Sequence, residues 1–210
     1  MRHPSHVRSF CALAALALVM AVATPALAGP PLVCFPFDIG TARSLPWDST
    51  GHTWKGMRAD YDVSRLTGDT LALLGPETPV IVRMETLRRA TLYATKDPGV
   101  AKALLTTLLD RAKSKGSDAL AVFDAGYLAE TYKQAAPIAA AMGTIATGID
   151  GYALVGKSLA ARGQDPAIEF AAAMMTLDGR RGAWADHVRL AKAGTRSDAL
   201  LARNIGQLER

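Results

Sequence analysis

From Tyr61 onward, apolar residues return at three- and four-residue intervals, and Gly and Pro punctuate the periodic stretches. The pattern predicts a succession of short helices. Tyr61 to Leu74 forms the first, stopped by Gly75-Pro76. Thr78-Pro79 sets a capping residue ahead of proline at the first helical position, for a helix reaching about Thr95. Asp97-Pro98 repeats the signal and opens a helix to Lys115, with Gly116 as its stop. Ser117 caps the next, to about Lys133. Pro137 opens a stretch over 137–148 that Gly143 and Gly148 interrupt. Asp150 begins a helix ending at Gly163, and Asp165-Pro166 one ending near Gly179. Residues 181–193 and 197–208 close the chain around Gly194.

Two earlier stretches lack this period. Gly29 to about Asp60 holds Pro30, Pro31, Pro36 and Pro46 with Phe35, Phe37, Trp47 and Trp54. So many aromatics are out of place in a disordered tail. They predict an extended lead segment pinned to the helical body, with Trp47 and Trp54 packing rather than presenting a surface. Ahead of it, Arg2 and Arg8 precede an unbroken apolar run from Phe10 to Ala23, and Ala26-Leu27-Ala28 follows. This is the layout of a secretory signal peptide cleaved after Ala28, and the run is too short for a spanning helix. The expected location is periplasmic or secreted, with no membrane insertion after signal removal.

The expected organisation is therefore a signal peptide over 1–28, a lead segment over 29–60 and a helical domain over 61–210. The predicted fold is all-α: stacked antiparallel helix hairpins, as an αα-superhelix or an irregular bundle, preceded by the extended proline-rich segment. Asp97-Pro98 and Asp165-Pro166 lie two units of 34 residues apart, and the helix starts at 117, 150 and 181 have similar spacing. In that period the chain from Thr78 to Arg210 resembles the tetratricopeptide-type repeat superfamily. The Trp-Leu-Gly-Tyr pattern of those repeats is not found. The resemblance implies three or four stacked hairpins with a concave face for a protein or peptide partner.

Composition narrows the function. Of the 24 Lys and Arg, two fall in the first 28 residues and none of the 19 acids does, leaving a net charge of +3. The charges are interspersed, and pairs such as Arg88-Arg89 and Arg180-Arg181 are no nucleic-acid arm. Half of the residues are apolar and alanine is abundant, which suits closely packed helices. Without Cys11, only Cys34 remains, so an internal disulfide is excluded. Val33 before Cys34 departs from the lipoprotein signal.

Candidate chemistry is sparse. There is no phosphate loop, nucleophile elbow or His-Glu-x-x-His. Past residue 28, two histidines, His52 and His187, and one cysteine are too few for a Cys/His zinc site, and no cofactor is expected. Cys34 with His52 and Asp48 would be the residues of a thiol enzyme if the fold brought them together. Otherwise Cys34 is a small buried residue. Trp184, Asp186 and His187 share one short helix, where a lone histidine reads as a surface or satisfied residue.

Asp124 is the more informative polar residue. On a helix it shares an apolar face with Leu120, Tyr127 and Leu128, so it needs a partner. Arg83, Arg88 and Arg89 are available, and Glu85 can engage Arg88 or Arg89 on its own helix, leaving Arg83 or another of the three for Asp124. One reading is an inter-helix ion pair that fixes register. The other is a polar spot on a concave face, with Arg83, Glu85, Arg88, Arg89, Asp124 and Tyr127 as binding residues. The sequence thus points to an exported helical scaffold for a protein or peptide, with a small-ligand domain and a Cys34-dependent enzyme as alternatives.

Overall fold

The computed structural model describes residues 29–48, 55–114, 118–177 and 183–209. The signal-like stretch, His52, Trp54, Gly116, Ser117, Gly179 and Arg180-Arg181 lie outside them. The fold is all-α, with ten α-helices and no strand among the described residues. A one-turn α1 (Pro31–Cys34) stands in the lead segment. The body comprises α2 (Leu66–Leu73), α3 (Val80–Ala94), α4 (Pro98–Lys113), α5 (Ala119–Gln134), α6 (Ala140–Ile145), α7 (Gly151–Arg162), α8 (Pro166–Met175), α9 (Trp184–Gly194) and α10 (Ala199–Asn204). A 3-10 turn, Ile205–Glu209, follows. No described helix is long and apolar enough to cross a membrane.

Local chemistry sets most helix starts. The Asp97 carboxylate accepts from the amides of Gly99 and Val100, and Asp165 from those of Ala167 and Ile168. In both helices Pro fills the first position, where no amide is needed. Asp150 caps α7 in the same way, and Gly163 ends it with φ 62°, a left-handed conformation that glycine adopts without cost. Two caps differ from expectation. Asp118, not Ser117, caps α5. Pro79 is the N-cap of α3, while Thr78 turns back and donates its hydroxyl to the Leu73 carbonyl at the end of α2. The interrupted stretch after Pro137 yields only the six residues of α6. Helix α8 ends early, at Met175, where the Thr176 hydroxyl engages the Ala172 and Ala173 carbonyls.

Helix α3 is the centre of the molecule. It contacts α1, α2, α4, α5 and α8, and of its 15 residues only Arg89 is not buried. Helix α5 packs most extensively on α7, at a glycine crossing. A Cβ on Gly126 would come 2.6 Å from the Gly151 carbonyl oxygen. Gly126→Ala should therefore lose about 1–3 kcal/mol through forced separation of α5 and α7. That exceeds the ~1 kcal/mol that alanine gains in helix propensity. Thermal denaturation checks it, and a stabilised variant would show that the crossing relaxes freely.

Candidate functional site

Helix α3 is enclosed yet carries Arg83, Glu85, Thr86, Arg88 and Thr91 among its buried residues. An enclosed helix is ordinarily apolar all round. What faces these polar groups therefore defines the site, and they form two clusters.

In the first, Arg83 donates to Asp124 on α5 at 2.7 Å, with both side chains buried. Its guanidinium also donates to the carbonyls of Thr78, at 2.9 Å, and Gly75. Arg111 of α4 donates to the adjacent Leu74 carbonyl. Arg83 thus ties α5 to the turn between α2 and α3. The second oxygen of Asp124 has no hydrogen-bond partner among the described residues. Burial pushes its carboxyl up to about 6, against the pull of Arg83.

The second cluster centres on Glu85. It accepts from Arg88 Nε at 2.7 Å and from a second Arg88 nitrogen at 2.8 Å. Arg89 Nε adds a bond at 2.7 Å, and the Phe37 amide one at 3.0 Å. Glu85 and Arg88 are fully buried. Arg88 continues to the Val33 carbonyl and Arg89 to the Leu45 carbonyl. The Trp47 ring lies against both guanidiniums, 4.9 Å from Arg88 and 5.7 Å from Arg89. Tyr127 stacks on Phe123 with centroids 5.5 Å apart, and its buried hydroxyl has no partner among the described residues. Of the six expected binding residues, Arg83, Glu85, Arg88, Asp124 and Tyr127 are therefore buried beneath other parts of the chain, and Arg89 is at the edge. None of them lines the open cleft of about 790 Å³ between residues 42–46 and the end of α2.

The covering element is the lead segment. Leu32, Val33, Phe37, Ile39 and Leu45 are buried, and Phe37 meets Phe170 of α8 edge to face at 6.0 Å. After α1 the segment has no regular secondary structure as far as Asp48. Its main chain is satisfied by side chains from distant helices. Gln134 of α5 accepts from the Leu32 amide at 2.9 Å. Asn204 of α10 accepts from the Asp38 amide at 2.8 Å and donates to the Asp38 carbonyl at 2.9 Å. Gln207 donates to the Pro36 carbonyl and Tyr93 to that of Pro46. With Glu85, Arg88 and Arg89, these residues read the backbone of one segment. Sequence reasoning did not find Gln134, Asn204, Gln207 or Tyr93. The i, i+3 spacing of Asn204 and Gln207 was the available signal.

The remaining candidates separate. His187 lies 2.6 Å from the Tyr152 hydroxyl through Nε2 and 2.5 Å from Glu169 through Nδ1. Burial raises the Tyr152 pKa, so the hydroxyl stays protonated. This chain joins α7, α8 and α9. Asp186 does not enter it and pairs with Arg189 at the surface. Cys34 is half-buried, and burial pushes its thiol up against the pull of Arg88, the opposite of an activated nucleophile. Among the described residues no group of His, Cys, Asp and Glu could hold a metal ion.

The fold and site define an all-α protein whose central polar helix is roofed by its own lead segment. Against known proteins, the chain matches no family model, no curated protein and no solved structure.

Proposed function

We propose that this chain is an exported helical scaffold that binds another polypeptide in the cell envelope. The observation supporting this reading is the way helices α3, α5 and α10 hold a non-helical segment by its main chain. Asn204 engages both the amide and the carbonyl of Asp38, a contact any residue but proline supplies. Main-chain hydrogen bonds give affinity without regard to sequence, and apolar sockets such as the one around Phe37 give selectivity. The closed Arg83–Asp124 pair does not favour the small-ligand alternative, and the raised thiol of Cys34 does not favour the enzyme.

The test is a cross-linked pull-down from the source cell's envelope, using the chain exported behind its own first 28 residues and tagged at the C-terminus. A stoichiometric polypeptide partner is the expected result. Recovery of nothing above a tag-only control would overturn the reading.

A further inference from the structure

We infer that residues 29–48 are a resident ligand of this face, held in cis, and that a polypeptide of the same chemistry displaces them. The inference rests on the scaffold reading above and concerns how the same site is regulated. The partner it names is a non-helical segment with apolar side chains like Leu32, Val33, Phe37 and Leu45, punctuated by proline.

Three observations carry it. The first is the composition of the contact. The buried body face under the segment bears Glu85, Arg88, Thr86, Asn204 and Gln207, with Arg89 at its edge. Water can take over each of their bonds to the segment if the segment leaves. The buried Leu32, Val33, Phe37, Ile39 and Leu45 make the rest of the contact apolar, and such a mixture of polar and apolar groups is what contacts that open and close carry.

The second is how the charges are balanced. Glu85 pairs with Arg88 and Arg89 on its own helix, so departure of the lead segment leaves that ion cluster whole. It strips away only the Phe37 amide and the Val33 and Leu45 carbonyls, all of which belong to the departing segment. The third is segregation. The most extensive helix packing, of α5 on α7 and of α8 on α9, does not involve residues 29–48, although α1 contacts α3, α5 and α8. Among the described residues no disulfide ties the lead segment down, and the contact of Asp38 with Arg203, at 3.6 Å, lies at the surface.

The probe is a fluorescein-labelled synthetic peptide of residues 29–48, added to the purified chain and followed by anisotropy. In the unaltered chain the cis segment competes at the high effective concentration of a tethered ligand. Phe37→Ala in the chain weakens the cis segment and leaves the body face intact, so it should raise trans affinity by about tenfold or more. No gain in peptide binding by a Phe37→Ala chain that keeps its helical circular dichroism would overturn the inference.

Should Phe37→Ala fail to fold, hydrogen exchange of the unaltered chain decides. The amides of Leu32, Phe37 and Asp38 should exchange at least about tenfold faster than those of Tyr127 and Leu128 in α5, through an opening that spares the body. Equal rates would mean that the segment leaves only on global unfolding, and would overturn the inference. Trans binding with no partner in the pull-down would uphold the inference and count against the scaffold reading. A recovered partner with a lead segment that never opens would do the reverse.

Discussion

Replacing Glu85 by alanine should destabilise the protein by about 3–5 kcal/mol, the cost of breaking a buried ion pair from one side. Glu85 is the common acceptor for Arg88, Arg89 and the Phe37 amide. Without it, Arg88 keeps its charge in a fully buried position with the Val33 carbonyl and the Trp47 ring as its remaining contacts. Arg89 is partly exposed and can turn to water, so the loss falls mainly on Arg88. At ~2–4 °C per kcal/mol for a chain of this size, the melting temperature should fall by about 10 °C.

A second substitution identifies the cause. Glu85→Ala with Arg88→Met removes both charges and should recover much of the loss, since well-packed apolar groups commonly replace a buried pair at little cost. Urea denaturation of the two single variants and the double variant measures this. A double variant as unstable as the sum of the singles would mean that the charges act independently.

The helices were legible where their signals are local. Asp-Pro starts at Asp97 and Asp165, and the cap at Asp150, depend on atoms within three residues of each other. Where two adjacent residues could cap, the pattern pointed to Ser117, whereas Asp118 is the cap of α5. At Thr78-Pro79 the answer turned on the Leu73 carbonyl, which competes for the Thr78 hydroxyl. The pairing of Arg83 with Asp124 was partly legible. An acid on an apolar helical face must find a base, and Glu85 claims the other two arginines.

What the sequence concealed is contact over distance. Gln134 reaches Leu32 across 102 residues and Gln207 reaches Pro36 across 171. Gln134 belongs to no periodic pattern that would mark it, and for Gln207 the only local hint is its spacing from Asn204. The polar stripe of α3 suggested an open face for the same reason. Its charges were visible, but the segment covering them lies about 50 residues earlier in the chain. The Tyr152–His187–Glu169 chain likewise draws one residue from each of three helices, and no single helix reveals it.

Asp124 should make stability fall as the pH rises from about 4 to about 6, the reverse of an ordinary ion-paired carboxylate. Its carboxyl stands at about 6 in the folded chain against 3.8 when free, because burial outweighs the pull of Arg83. Between these values the folded state holds more protons than the unfolded state, so raising the pH favours unfolding. The shift of about two units corresponds to roughly 3 kcal/mol across the window, with no further change from this group above it. Arg83 on α3, Arg111 on α4 and Asp118 at the start of α5 are the charges that act on it. Asp124→Asn keeps an oxygen for Arg83 but cannot ionise. Its urea midpoint, followed from about pH 4 to about pH 7, should lack the part of the slope that Asp124 supplies. The same slope in both chains would show that the pull of Arg83 matches the cost of burial, and stability in the parent that Asp124 makes rise with pH would show that it exceeds it. The pair would then be a net clamp between α5 and the α2–α3 turn at neutral pH.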